Sequence, residues 1–376
     1  RLRRESTVHI QYHSETGTQL VPTLQSVAAE SAVEGLLVLS TPEETIASTP
    51  FETALAELEV PVIGGVFPEV VHLGDSTEQG AVVAGLSTRP TVTVVPGLSD
   101  PHSSHSEQFD SGSSTEADET AFVFVDAHAT EIESFIDELF RSWGVERNVL
   151  GGGAGTLDEE SQPCLFTRDG VVSDSALVAT VDLASSIGVK HGWQYADGPF
   201  RVTDSEGPRL RTLDDEPAYD VYRRVVEANG ETEVTVDNFF EVAKSFPFGI
   251  SQLNAEKIVR DPFKVHDDGS LTCFGDVPEG EFISVLQGEP DSLVDAARGA
   301  RKNAISDQAE AEAVVFFDCI SRALYLQSAF DSELAAVDET SEPVIGALTI
   351  GEIANDREGH LDYFNKTAVV GALMER

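Results

Sequence analysis

Basic side chains, cysteines and long apolar runs are all scarce in this sequence. Lysine and arginine together number 24 against 66 acids, a formal net charge of -42 over 376 residues, and lysine is much the scarcer of the two bases. Such a surface repels nucleic acid and anionic membranes unless a basic patch overrides it, and no basic cluster follows the short start Arg1-Leu2-Arg3-Arg4. Nucleic acid is therefore not an expected partner. The acids are spread along the chain rather than confined to a tail, which at ordinary ionic strength means costly self-repulsion. In multimolar salt the screening length shrinks to about 3 Å or less, so the charge points to a high-salt cytoplasm and describes habitat rather than mechanism.

Cys164, Cys273 and Cys319 lie far apart with no Cys-x-x-Cys pair, which argues against a disulfide framework and a zinc ribbon and for a reducing compartment. No run of about 18 apolar residues occurs, and no apolar stretch follows the start to make a secretion signal. A soluble cytoplasmic protein without membrane insertion is expected. With 41% hydrophobic residues in 376, the chain can bury a sizeable core, and its size favours two parts.

The pattern of apolar residues and turn formers predicts an α/β chain, with mixed β-sheets covered by helices. Gly35–Ser40 and 60–67 read as strands around a short helix at 50–59, and 80–87 with 91–96 as a hairpin-like pair. The stretch 99–120 is poor in large apolar residues and reads as an acidic surface loop, with His102 and His105 too isolated to build a metal site. A strand at 121–126, a helix at 130–143 and strands at 163–166, 175–182 and 186–194 follow. The run Asn148-Val149-Leu150-Gly151-Gly152-Gly153-Ala154-Gly155 lets backbone approach a ligand or another strand closely. It lacks the Lys-Ser/Thr of a phosphate-binding loop, so no nucleotide is expected. Later come helices at 216–228, 239–244 and 292–313, and a charged elbow at 259–263 around Pro262. Hairpin turns fall at Asp267-Asp268-Gly269-Ser270 and Pro278-Glu279-Gly280-Glu281, and strands at 344–352 and 361–373 close the chain.

The most informative stretch is Val314-Val315-Phe316-Phe317-Asp318-Cys319-Ile320-Ser321-Arg322. A strand this apolar is covered on both faces, and its end delivers an acid, a thiol and a guanidinium to the rim of the core, a usual place for a ligand pocket. The same residues also suit a salt-bridged strand end.

Eleven short motifs, in order, carry a resemblance. They are Gly64-Gly65, Gly151-Gly152-Gly153-Ala154-Gly155, His191-Gly192-Trp193, Val202-Thr203, Pro217-Ala218-Tyr219, Arg260-Asp261-Pro262, Asp268-Gly269-Ser270-Leu271, Val277-Pro278-Glu279-Gly280, Phe317-Asp318-Cys319-Ile320-Ser321-Arg322, Gly351-Glu352-Ile353 and Phe364-Asn365-Lys366-Thr367. From about Val33 onward the chain resembles the FIST family of sensory domains. The resemblance implies an N-terminal segment 1–32, a FIST N-terminal-like domain 33–212 carrying the acidic loop 99–120, and a FIST C-terminal-like domain 213–376. It further implies a small-ligand sensor in signal transduction, with an amino acid or similar metabolite as ligand. Output is expected through a separate signalling protein, a kinase or chemotaxis transducer, because the chain has no room for such a domain. A subset of that family is reported to bind haem and sense nitric oxide.

For a zwitterionic ligand, Arg322 and Arg260 suit a carboxylate, Asp318 and Glu352 an ammonium, and Asn365 either, with Cys319, Gly151 and Gly152 at the same site. Equally, Arg322 can pair with Asp318 or Glu352, and Arg260 with Asp261, without any ligand. No cofactor is expected. Haem would need an axial ligand on an apolar slot, and His191 beside Gly192 and Trp193 is the best candidate, followed by His72 and Cys319. No catalytic constellation stands out. An enzyme using Cys319 as nucleophile would need a base, and His266 and His360 are the nearest in sequence.

Overall fold

The computed structural model describes residues 8–13, 20–42, 49–105, 119–144, 147–158, 161–230, 233–252, 256–305, 311–355 and 360–374. Its strands form three six-stranded sheets and one seven-stranded sheet, so the expected α/β class of mixed sheets covered by helices holds.

The three six-stranded sheets are built alike. Each has a parallel pair joined through a helical segment: Gly35–Ser40 with Val62–Val66, Thr120–Asp126 with Asn148–Ala154, and Ala313–Cys319 with Val344–Thr349. A returning strand lies antiparallel to the first of each pair, namely Ala81–Leu86, Ser175–Val181 and Ala368–Met374. Edge strands Val8–His13, Thr91–Pro96 and Ala184–Lys190 flank the returning strands.

Between its parallel pair and its returning strand, each repeat sends out a hairpin that joins a neighbour's sheet. Glu69–His72 of the first pairs with Val344–Thr349 of the third, Leu165–Thr167 of the second with Val62–Val66 of the first, and Glu352–Ala354 of the third with Asn148–Ala154 of the second. The exchange closes a ring of three repeats. Strands from either side of Thr212 therefore share two of the three six-stranded sheets as well as the seven-stranded one.

The sequence carries the same threefold signature. Val62-Ile63-Gly64-Gly65, Val149-Leu150-Gly151-Gly152 and Val344-Ile345-Gly346-Ala347 occupy equivalent registers. A Cβ on Gly64, Gly151 or Gly346 would lie 1.9, 1.8 or 1.7 Å from the carbonyl oxygen of Val38, Val123 or Phe316, so only glycine fits at these positions.

Residues from all three sheets meet in one apolar core. At its centre the Phe124 ring packs edge-on against both Phe67 and Phe317, with centroids 5.7 and 5.6 Å away, bringing one aromatic from each repeat together. Helices cover the outer faces. Ile132–Trp143 buries Ile132, Phe135, Ile136 and Leu139 against the second sheet, and Pro290–Ala304 with Phe330–Val337 covers the third.

An insertion separates the edge strand Ala184–Lys190 from Pro290–Ala304. Within it, Gln194–Glu206, Phe282–Gln287, Phe248–Ile250, Ile258–Val265, Leu271–Phe274 and Arg209–Leu213 form a closed antiparallel barrel. Closure comes from the long first strand, which pairs with Phe282–Gln287 along one half and Arg209–Leu213 along the other. Helix Ala218–Asn229 fills the barrel with Val221, Tyr222 and Val225, which pack with Phe248 and Ile283. Entry and exit of the insertion lie side by side, since Ser292 Oγ donates to the Gly192 carbonyl at 2.7 Å and accepts from Gln194 Nε2 at 2.5 Å.

Several local expectations need correction. Residues 80–87 and 91–96 do not pair, because Ala81–Leu86 serves the first sheet and Thr91–Pro96 the second. The elbow at 259–263 is part of the strand Ile258–Val265. Pro262 is tolerated there because only one side is paired at that point and the register shifts between Pro262 and Lys264. The helix expected at 292–313 spans Pro290–Ala304, and Ala313 already begins the next strand. Of the loop expected at 99–120, residues 106–118 lie outside the described residues. His105 is packed, with its amide donating to Glu138 at 2.6 Å and its ring edge-on to Phe135.

Candidate functional site

All seven residues of the strand Ala313–Cys319 are buried, and helix Ile320–Leu326 begins where it ends. This junction places Arg322 one helical turn after Asp318, with Nε 2.9 Å from Oδ1. Arg322 also donates from Nε and Nη2 to Glu333 Oε1, at 3.0 and 2.6 Å. Its remaining donors go to the carbonyl oxygens of His191 at 2.5 Å, Lys366 at 3.3 Å and Leu293 at 3.1 Å. All five guanidinium N–H groups are thus spent inside the chain, and Arg322, Asp318 and Glu333 have no exposed surface.

Both Asp318 oxygens and Glu333 Oε2 are buried without a hydrogen-bond donor. Burial, then the neighbouring Glu333 charge, pushes the Asp318 carboxyl well above the usual carboxylate range. The shift favours the protonated Asp318 carboxyl, whose O–H can donate to the neighbouring Glu333 carboxylate. Glu333 was not anticipated from the sequence. An acid in an acid-rich helix looks like a solvated surface residue, and only the tertiary fold turns it inward.

Glu352 starts the exchanged hairpin and accepts from Thr349 Oγ1 at 2.9 Å and the Thr367 amide at 3.2 Å. Burial raises its carboxyl to about 8. Cys319 lies beside it, and burial followed by that neighbouring carboxylate pushes the thiol up, the wrong direction for a nucleophile. Neither His266 nor His360 bonds it: His266 Nε2 sits on Thr272 and His360 Nδ1 on the Leu361 carbonyl.

The other expected residues gather around this hairpin. Gly151 and Gly152 face Ile353 and Glu352 in register, and a Cβ on Gly152 would lie 2.7 Å from the Gly351 oxygen, so the glycine run here admits a strand. Asn365 is buried, with Nδ2 on the Phe364 carbonyl and Oδ1 without a partner. Arg260 reaches the hairpin from the barrel, donating to the carbonyls of Tyr363 at 3.0 Å and Asp276 at 2.8 Å and lying 3.6 Å from Glu133. Asp261 pairs instead with Lys366, at 3.1 Å, whose ammonium also lies 5.0 Å from the Trp193 ring centroid.

Beside the cluster, a groove of about 530 Å³ opens between the third sheet and the barrel, lined among others by Lys190, His191, Trp193, Tyr195, Glu256 and Lys257. His191 belongs to both places, since its carbonyl holds Arg322 while its ring faces the groove. Its Nδ1 accepts the Trp193 amide at 2.9 Å, which puts the ring proton on Nε2, 3.2 Å from Glu256 Oε2. Burial lowers its pKa to about 4, so the ring is neutral. Both nitrogens of the expected haem-ligand candidate are engaged by the chain. His72, the next candidate, stacks on Tyr12 at 5.0 Å. No group of three or more His, Cys, Asp or Glu among the described residues is arranged to hold a metal ion, and no helix among them is long and apolar enough to cross a membrane.

The arrangement is a buried charge cluster behind an open polar groove. Two family models cover the chain, the FIST N domain over residues 34–216 and the FIST C domain over residues 218–355. The chain belongs to the FIST family, whose domains are sensory domains of signal transduction and not a catalytic family. Among curated proteins none matches it.

Proposed function

We propose that this protein senses a small metabolite, with an amino acid as the best-fitting class, and passes the signal to a separate protein such as a kinase or chemotaxis transducer. The groove between the third sheet and the barrel carries this reading. It offers Lys190 and Lys257 to a carboxylate, Glu256 to an ammonium and the exposed Tyr195 ring to an apolar portion. Asp318, Cys319, Arg322, Glu352 and Asn365 act behind it as the responsive element, with Arg260 and Gly151-Gly152 fixing the hairpin on which that element rests. A ligand that prefers one setting of the barrel against the sheets shifts the balance between settings, and that shift is the signal.

The test is thermal unfolding in multimolar KCl against a panel of amino acids and small metabolites. A ligand at a hundredfold excess over its dissociation constant stabilises the folded state by about 2.7 kcal/mol, which raises the melting temperature visibly. Absence of any shift across the panel would point to a scaffold instead.

A further inference from the structure

We infer that Glu256 is a built-in competitor for the ligand. Lys190 Nζ and His191 Nε2 form a two-donor seat for the carboxylate of a small metabolite, and the Glu256 carboxylate occupies that seat until the metabolite displaces it. The inference rests on the groove being the sensing site and adds the chemistry of its ligand.

The two Glu256 oxygens are divided between the two donors: Oε1 lies 3.3 Å from Lys190 Nζ and Oε2 lies 3.2 Å from His191 Nε2. The direction of the second contact is fixed. Because His191 Nδ1 accepts the Trp193 amide, Nε2 carries the proton and donates, so the seat suits an anion without the imidazole having to charge. Any carboxylate presents the same pair of acceptor oxygens and can take the place of Glu256 without rearranging the donors.

Fixed and movable sides of the seat differ. The fixed side is His191, whose carbonyl is gripped by Arg322 Nη1 at 2.5 Å and whose side chain is only 9% exposed, while Lys190 is held by its backbone, at the end of a strand paired along its length with Ala368–Met374, and has a side chain 35% exposed. The Glu256 side chain is 34% exposed and faces the open groove. Ion pairs at that exposure are weak and readily exchanged. Glu256 stands two residues before the barrel strand Ile258–Val265, so its release frees the entry to that strand. The neighbouring Lys257, held by Ser251 Oγ at 3.1 Å, supplies a second cation at the same mouth. A carboxylate arriving in the groove would therefore exchange one anion for another in the seat and loosen the barrel's first contact with it.

The protein has two tryptophans, so the Trp143→Phe variant leaves Trp193, beside the seat, as the only indole reporter. Its emission is followed in multimolar KCl during titration with acetate, succinate and L-alanine, and with L-alaninamide as the probe lacking a carboxylate. Saturable change is expected with the carboxylates and none with the amide. In the Glu256→Gln background acetate and succinate, which have no ammonium to lose Glu256 as a partner, should bind about two- to fivefold more tightly, the range expected on removing a weak competing ion pair. Lys190→Met should weaken them about tenfold or more while the variant still unfolds cooperatively. Unchanged or weaker binding of acetate and succinate in Glu256→Gln, or an amide that binds as well as alanine, overturns the inference. If the probes raise the melting temperature but leave Trp193 and the Glu256→Gln comparison unmoved, this seat is wrong while the sensor reading stands. If neither signal moves with any probe, both fall.

Discussion

Arg322 Nη2 and Glu333 Oε1 lie 2.6 Å apart with neither side chain exposed, and the two residues come from different helices of the third repeat. Removing the guanidinium strands two buried acids and three carbonyl oxygens. Arg322→Met is expected to cost about 3–5 kcal/mol, and Arg322→Lys to recover only part of it, because three ammonium donors cannot replace five. Denaturant unfolding of the three proteins measures this, and an Arg322→Met variant as stable as the wild type would refute the assignment.

Glu352 makes stability depend on pH. Its carboxyl stands at about 8 in the folded protein against an ordinary 4.5, so between those values the folded state holds a proton that the unfolded chain has released. The stabilisation is fully present below 4.5 and is lost as pH rises toward 8, at no more than about 1.4 kcal/mol per pH unit. Asp318, raised for the same reason of burial, adds to the slope with the same sign. Glu352→Gln should flatten the profile of denaturation midpoint against pH; a slope unaltered by that change would assign it to other groups.

The three equivalent glycines face carbonyl oxygens that belong to paired backbone and cannot swing away. Gly64→Ala, Gly151→Ala and Gly346→Ala are each expected to cost about 1–3 kcal/mol or more through overpacking. Melting temperatures decide the point, and a neutral result at all three would mean that the parallel pairs can spread.

Hairpin exchange predicts that the two family regions fold together. A fragment ending at residue 216 lacks Glu352–Ala354 beside Asn148–Ala154 and leaves Glu69–His72 without Val344–Thr349. Exposed strand edges of this kind aggregate. Size-exclusion chromatography should show the fragment aggregated alone and recovered as a complex when produced with residues 217–376, whereas a monomeric fragment with native-like circular dichroism would contradict the exchange.

The charge of -42 predicts that stability falls on dialysis from multimolar KCl into dilute buffer, as screening is withdrawn from like charges. Circular dichroism across a salt series reads this directly.

Strands with strong apolar runs, such as Gly35–Ser40 and Ala313–Cys319, were legible in the sequence because every position is buried. Gln194–Glu206 and Arg209–Leu213 were not. In the first of these only Val202 is fully buried, so no alternation marks it as a strand. Ring closure alone reveals both. At the site, the co-location of Asp318 and Arg322 follows from their spacing, and that of Glu352 and Asn365 with them followed only from motif order. Glu333 and Glu256 carried no local signal, and Lys366 stood out only as part of Phe364-Asn365-Lys366-Thr367, since an acid or lysine near a turn reads as solvated until a distant strand covers it. The repeat was written in the sequence as three Val-Ile/Leu-Gly runs, but each is too short to stand out without the registers that align them.

The barrel leaves and rejoins the third repeat at one spot, where Ser292 bonds both Gly192 and Gln194. An insertion whose ends touch can be lost, enlarged or exchanged without altering the spacing of the strands around it. The three-sheet body thus behaves as a chassis and the barrel as a cassette. Rewriting 194–287 alone would recast one wall of the groove while Lys190, His191 and the three sheets stay in place.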